Sequence, residues 1–490
     1  MTESGPPGAL RVAVIGGGIT GLAAALALAR PADGERAVAV TVLESEERLG
    51  GKVRTGTLED RAVEFGPDGF LVRTPEASDL CRQLGLGGDL VDPATTAARV
   101  WVGGRLRPLP PDLVWGAPVF PWRLWRQGVL SPAGIARAAI EPWARVPPPG
   151  ADPALGPFVR DRLGREVMER LVDPLLSGIY GGPAETMSTA AVAPQLLEAV
   201  RQHGSLLRGL WAARRASAPA GAGPARPLFQ TVRGGLGRLV GHAGSALPAG
   251  AVRLRTPARA LSLADDGRVR VETSTDVLVV DGVVVATPAF EAARLLEGLA
   301  PAAAAALRGI VYAPVAIVTL AYAASVLPQP LPFSGFLVAR GEGRLINACT
   351  AVDRKWPHLA TAGTVLLRAS VGGPRAAEAM EMSDAALVTT VHLELRRALG
   401  LRTGPRAVGI TRWPQALPQY AVGHLERLAA AEVDLARVPR LAVTGAAFRG
   451  VGLPACIRQG AAAAQGLRRR LEVLGPGGAP AGGGLATGER

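Results

Sequence analysis

The sequence predicts an α/β (α+β) fold, and three features predict it. An apolar strand runs into a glycine turn and a helix near the N-terminus, a second strand completes a βαβ unit, and β-branched segments recur through the second half. At 490 residues the chain is long for one domain, so at least two are expected. A 48% hydrophobic share with only 19% charged residues excludes a disordered chain and allows a sizeable core.

Residues 1–9 and 475–490 are rich in Gly and Pro, lack periodicity, and are expected to be mobile tails. The βαβ unit reads as strand Val12–Ile15, helix Thr20–Arg30 and strand Val38–Leu43. A hairpin-like stretch reaches Phe70, a short helix covers Pro75–Leu84, and Val100–Leu106 around Gly103-Gly104 reads as a small hairpin. Between Pro110 and Pro149 the chain is rich in Pro and Trp (Trp115, Trp122, Trp125, Trp143), with Arg123 and Arg126 interleaved. Two readings stand for it: an interfacial or substrate-entry surface, and ordinary packing. Helical periodicity returns over Pro157–Leu176 and Ala190–Arg215, and residues 216–227 form an Ala/Gly/Pro linker.

Strands follow over Arg253–Leu263, Val269–Thr273 and Val277–Ala286. The stretch Gly309–Ala339 carries no charge and is long enough to span a bilayer. Pro314, Pro328, Pro330 and Pro332 interrupt it, and its apolar part is β-branched, so a buried strand Val315–Tyr322 followed by a loop is expected instead. Further strands are read at Phe336–Val338, Leu345–Cys349 and Val365–Ser370, then a helix at Asp384–Leu399. The C-terminal unit is strand Leu441–Val443, a glycine turn, and helix Pro454–Leu471.

Composition narrows the function. The net charge is +13, but only Lys52 and Lys355 are lysines, no run of five basic residues occurs, and arginine rises together with Ala, Gly and Pro. That pattern argues against nucleic acid and leaves anionic small molecules as the compatible partners. Cys81, Cys349 and Cys456 lie far apart and no HExxH occurs, so neither a disulfide scaffold nor a metal site is expected. No signal peptide is read at the N-terminus, and a cytoplasmic enzyme is the expectation.

Gly16-x-Gly18-x-x-Gly21 sits after an apolar strand and opens a helix, where a dinucleotide fingerprint must sit. Its first glycine makes the tight turn, its second admits a pyrophosphate, and its third lets helix pack on strand. The pyrophosphate is then held by free N–H groups at a helix N-terminus. Glu44 ends the second strand, placed to accept hydrogen bonds from a ribose. Arg48-Leu49-Gly50-Gly51-Lys52 and Glu64-Phe65-Gly66-Pro67-Asp68-Gly69-Phe70 follow. At the far end, Val443–Pro454 reads as a strand, a glycine loop and a helix start. Such a helix N-terminus can face the pyrimidine edge of a flavin and stabilise its reduced, anionic form.

In this order the motifs resemble those of the amine-oxidase-type flavoproteins, with Lys52 at a position usually Arg or Lys. From Val12 to about Leu467 the chain resembles the protoporphyrinogen/coproporphyrinogen oxidases of haem biosynthesis, particularly their soluble bacterial branch. The specific segments are Asp173-Pro-Leu-Leu-Ser-Gly-Ile-Tyr-Gly-Gly182, Thr411-Arg412-Trp413, Leu417-Pro-Gln-Tyr420, Gly423-His424, and Gly450-Val-Gly-Leu-Pro454 with Cys456-Ile457. The resemblance implies a Rossmann-like FAD-binding domain over 10–75, 226–292 and 436–471. A mostly helical domain over 76–225 and a substrate-binding β-sheet domain over 293–435 complete it. It implies non-covalent FAD contacts at Gly16, Gly17, Gly18, Ile19, Thr20, Gly21, Glu44, Ser45, Lys52, Gly66, Pro67, Asp68, Gly69, Trp413, Val451, Gly452 and Leu453. A backbone contact to adenine is implied near Ala258, where Arg255–Pro257 departs from the family pattern.

The reaction so implied is oxidation of coproporphyrinogen III to coproporphyrin III, with O2 as acceptor and H2O2 as product. Hydride passes from a meso carbon to the flavin, and aromatisation drives the later steps. No general base is assigned. Asp68 is the one carboxylate to test, with a structural turn role as its equal alternative. Arg99, Arg123 and Arg126 are candidates for the carboxylate arms, beside plain surface roles. His424 and Tyr420 read as packing residues first and pocket lining second. Implied partners are the porphyrinogen and O2, transient membrane contact without an integral segment, and hand-over to a ferrochelatase. The alternatives are a protoporphyrinogen IX oxidase, another flavoenzyme of the amine-oxidase type, and a non-enzymatic tetrapyrrole carrier.

Overall fold

The computed structural model describes residues 8–31, 36–110, 112–216 and 227–475. The tails and the linker read from the sequence lie almost wholly outside these residues.

A parallel five-stranded sheet organises the nucleotide side. Its order is Val252–Arg253, Val38–Leu43, Leu10–Ile15, Gly282–Val285, Leu441–Val443, so segments from both chain ends and the middle meet in one sheet. Leu10, Val12 and Val14 face one core with the helices Ile19–Ala29 and Leu453–Leu474. Ala13 and Ile15, of opposite parity, face a second core with Val283, Leu295 and Leu428. A strand buried on both faces is expected to be continuously apolar, and LRVAVI nearly is.

The second sheet has seven strands, ordered Ala407–Pro418, Tyr312–Ala323, Thr364–Val371, Ile346–Ala351, Gly335–Val338, Ala98–Val102, Arg105–Pro108. All its pairs are antiparallel except Gly335–Val338 with Ala98–Val102. Successive side chains alternate between faces. Val318, Leu367, Ala369, Cys349, Phe336 and Trp101 share the face packed on Leu387, Val391 and Leu395 of helix Asp384–Leu399. The other face is open only in part: Leu337, Ala348 and Ser370 keep some exposure, whereas Thr319, Ala321 and Leu366 are buried. The uncharged stretch is the buried strand Tyr312–Ala323 and a following loop, as its prolines require.

Several elements differ from the sequence reading, each for a local reason. The helix expected over Pro157–Leu176 ends first at Leu163, where Gly164 caps it, and a wide π turn at Met168–Val172 precedes Asp173–Tyr180. Ala190–Arg215 is three helices, broken before Pro194 and at Gly204. Pro257 separates Val252–Arg253 from Ala258–Leu263. Val277–Ala286 divides at Asp281, whose carboxylate accepts from Arg11 N (2.7 Å), so its halves serve different sheets. Strands Ala98–Val102 and Arg105–Pro108, inside the range read as mostly helical, pair into the seven-stranded sheet.

Candidate functional site

The first strand stops at Ile15 and the chain turns through Gly16, whose φ of +104° suits glycine alone. A Cβ on Gly21 would overlap the Gly16 carbonyl, and one on Gly18 would meet nothing within 4 Å. The turn is thus closed behind and open in front. No side chain caps the helix Ile19–Ala29, so its first N–H groups face that open side.

Glu44 locks the turn to the second strand. Its Oε2 accepts from Gly17 N at 2.7 Å, and its Oε1 accepts from Glu46 N at 2.9 Å and from Ser45 Oγ at 3.2 Å. Gly50 N donates to Gly17 O at 2.8 Å, which lays the second glycine motif against the first. Arg48 braces that motif through the carbonyls of Leu49, Gly51 and Val53.

Helix Leu453–Leu474 runs parallel to Ile19–Ala29: Gly460 lies on the Thr20 carbonyl and Arg468 donates to the Leu28 carbonyl. Both N-termini therefore open at the same end, and Gly452 leads into the second without a side-chain cap. Lys52 completes the group. Its Nζ lies 5.5 Å from the centre of the Tyr312 ring and forms no ion pair among the described residues. Burial draws its pKa down to about 8. The uncapped start of Ile19–Ala29 and an unpaired, largely buried ammonium suit a diphosphate.

The segment Gly66–Gly69 runs from here toward the open face of the seven-stranded sheet. Trp413 Nε1 donates to Phe65 O (2.8 Å), and Arg368 donates to the carbonyls of Glu64 and Gly66. Asp68 pairs with Lys355 at 2.9 Å. Burial pushes the Asp68 carboxyl up, but Lys355 and Arg368 together outweigh it and hold the pKa near 2. Such a group stays ionised and is a poor proton acceptor at neutral pH. The open face carries the cross-strand row Leu337, Ala348, Ser370, Ile317 and Thr411. Gly178 of helix Asp173–Tyr180 lies beside Leu337, and Gly181 beside Val315 and Leu417.

Gly16–Gly21, Glu44, Ser45, Lys52 and Val451–Leu453 are thus brought together, with Gly66–Gly69 and Trp413 adjoining. Ala258 stands at the edge. Its carbonyl accepts from Arg294 (2.9 Å), whereas Thr256 N and Arg255 N reach the Glu44 and Glu46 carbonyls. Arg99 stacks on Phe333, and Arg123 pairs with Asp112 and stacks on Phe120, so both are engaged elsewhere. Trp122, Trp125 and Trp143 are exposed by 49%, 65% and 75%. The bracing roles of Arg48, Arg368 and Lys355 escaped the sequence. Arg368 and Lys355 lie some 300 residues from their partners, with no local signal.

The model of the family described as flavin containing amine oxidoreductase matches residues 19–468. The chain belongs to this family. Among curated relatives of this flavin amine oxidoreductase, it is 34% identical to the coproporphyrinogen III oxidase of Bacillus subtilis, covering 93% of this chain and 97% of that one. It is 36% identical to the coproporphyrinogen III oxidase of Propionibacterium freudenreichii, over 91% and 88% of the two chains. A solved structure from Exiguobacterium sp. 255-15, provisionally named a protoporphyrinogen oxidase, superposes with a TM-score of 0.82 at 33% identity, over 94% and 99% of the chains. FAD is the family's cofactor, and the cradle described above fits it. Among the described residues no three His, Cys, Asp or Glu side chains group as a metal site, and no helix is long and apolar enough to cross a membrane.

Proposed function

We propose that this chain is an FAD-dependent oxidase converting coproporphyrinogen III to coproporphyrin III in haem biosynthesis. The observation that carries this reading is the end-to-end match to relatives named coproporphyrinogen III oxidase, combined with a cradle shaped for a flavin dinucleotide. Bound FAD supplies a two-electron acceptor that passes its electrons to O2. One coproporphyrinogen and three O2 then give one coproporphyrin and three H2O2.

The chain's own groups bind and orient. Gly16, Gly17, Gly18, Ile19, Thr20 and Gly21 hold the diphosphate with Lys52, while Glu44 and Ser45 take the adenosine ribose. The adenine lies against residues 253–258. Gly66, Pro67, Asp68, Gly69 and Trp413 border the ring system, and Val451, Gly452 and Leu453 bring a helix N-terminus to its pyrimidine end. The porphyrinogen lies over the exposed part of that sheet face, beside helix Asp173–Tyr180. No side chain is assigned as general base; Asp68, already ionised and paired with Lys355, orders the flavin-side loop. Pyrrole protons leave to solvent, so positioning is the main catalytic task.

We propose a division into FAD-binding, helical and substrate-binding domains, with strands Ala98–Val102 and Arg105–Pro108 joining the substrate sheet. We place the enzyme in the cytoplasm, with transient membrane contact through Trp122, Trp125 and Trp143 and hand-over of product to a ferrochelatase. A preference for protoporphyrinogen IX is the second reading, since a plant relative 31% identical is named protoporphyrinogen oxidase 1.

Peroxide released per porphyrin formed, measured with both porphyrinogens at low and high ionic strength, tests the reading. Three peroxides per porphyrin and a higher kcat/KM for coproporphyrinogen, narrowing as salt screens its four carboxylates, are expected. Preference for protoporphyrinogen at both ionic strengths overturns the substrate. Porphyrin binding without peroxide overturns the enzyme.

A further inference from the structure

The loop from Thr444 to Gly452 joins the last strand of the parallel sheet to the helix whose N-terminus completes the cradle. Gly445 and Gly450 sit at its two ends with φ of +142° and +118°. Glycines at such angles leave a loop many other backbone paths, so its conformation must be fixed from outside.

One side chain does this from both ends. Tyr420 is 1% exposed, and its hydroxyl donates to Ala446 O at 2.6 Å while accepting from Gly450 N at 2.8 Å. Its ring stacks on His424 with centroids 4.2 Å apart and planes 13° apart. His424 Nε2 in turn lies 3.2 Å from Phe448 O, which makes that nitrogen the donor. Three carbonyl or amide groups in five residues of loop are thus held by one aromatic pair. Burial lowers the His424 pKa, so the ring is neutral near pH 7 and keeps this donor arrangement.

The pair is itself anchored in the substrate half. Ser188 N donates to Tyr420 O at 2.7 Å, and Gln419 Nε2 donates to Tyr180 O at 2.7 Å. The Tyr180 ring, at the end of the helix lining the open sheet face, lies 5.7 Å from that of Tyr420.

We infer, taking the flavin reading above as given, that Tyr420 backed by His424 is a positioning residue: it staples the 445–450 loop so that the helix N-terminus meets the flavin's pyrimidine end. Its role runs through the loop, because both bonds of its hydroxyl go to Ala446 O and Gly450 N. Removing the hydroxyl frees Ala446 O and Gly450 N together and lets the glycine-ended loop relax, while the ring still fills its place. The reduced flavin, which depends more on the helix N-terminus than the oxidised one does, loses more of its binding.

The test compares holoenzyme with Tyr420→Phe, His424→Leu and His424→Gln. In Tyr420→Phe the reduced flavin should be held about three- to tenfold less tightly relative to the oxidised, a negative shift of roughly 15–30 mV for a two-electron couple. His424→Leu should shift the same way, and His424→Gln, which keeps an N–H for Phe448 O, should recover most of the loss. Amide exchange of residues 445–453 with and without FAD checks the underlying reading separately. Absence of FAD-dependent protection there overturns the flavin contact itself. Protection together with an unchanged potential in both Tyr420→Phe and His424→Leu overturns the staple.

Discussion

Gly460 of the C-terminal helix rests directly on the carbonyl oxygen of Thr20 in the first helix, with no room for a Cβ between them. Two helices from opposite ends of the chain thereby run side by side, and their N-termini open at the same end, the C-terminal helix starting further out along the axis. Anion binding at a helix start depends on where the start is aimed. This single close approach therefore aims both.

Gly460→Val should separate the helices. Backbone cannot yield as a flexible side chain would, so overpacking should destabilise the fold by about 1–3 kcal/mol. FAD occupancy should fall more than stability alone explains, because both N-termini move. Thermal unfolding and the flavin-to-protein absorbance ratio of the purified variant check this; full flavination at parental Tm would refute it.

Glu44→Ala removes a buried acceptor from Gly17 N as well as the ribose partner. FAD affinity should drop by roughly 1.5–3 kcal/mol, the scale of a hydrogen bond to a charged group. Glu44→Gln keeps an oxygen for Gly17 N and should fall between the two. Calorimetric titration of apoprotein orders the three; equal affinity across them would remove Glu44 from the site.

Lys52 makes a prediction about pH. Its pKa is about 8 without a ligand, below the ordinary 10.4 or so, because burial disfavours the ammonium. The unfolded chain therefore binds more protons between those values, and this residue's share of stability rises with pH across that window. FAD affinity runs the other way. A diphosphate needs the charged form, so above pH 8 binding must also recruit a proton, and affinity should fall by up to about tenfold per pH unit. Fluorescence titrations at several pH values should show this slope in the parent and none in Lys52→Met, whose affinity is already low at pH 7.

The parts that were legible in the sequence share one property: their signal is local. The Gly16–Gly21 turn lies between a strand and a helix adjacent in the chain, and Glu44 follows the strand that pairs with it. The long antiparallel strand Ala407–Pro418 was not read as a strand, although Thr411-Arg412-Trp413 was singled out. Its 12 residues alternate poorly, with Arg412 reaching Asp384 and Gln415 exposed, and one face lies on a half-open surface. Asp281 shows the other limit. The chain leaves one sheet and enters another there within a single residue, which the valine-rich segments on both sides of Asp281-Gly282 conceal. Tyr420 read as packing because nothing nearby in sequence announces Ala446 or Gly450 as its partners.

Glu64 supplies the last prediction. Its carboxylate is 8% exposed and accepts from Leu236 N at 2.6 Å and Thr55 Oγ1 at 2.9 Å. Burial outweighs these bonds and the nearby Arg368, and raises its pKa to about 7. The native state thus holds a proton that the unfolded chain releases near pH 4.3. Between those values the folded form binds more protons, so this contribution to stability declines as pH rises, and above pH 7 the full penalty of a buried charge, about 4 kcal/mol, is present. Asp68 has the opposite sign: held near 2 by Lys355 and Arg368, it contributes stability above pH 4 that is lost in stronger acid. Glu64→Gln, which cannot ionise, should flatten the fall in Tm between pH 5 and 7.5 while leaving the acid limb below pH 4 in place. A profile that still falls as steeply in the variant would assign the titration to another group.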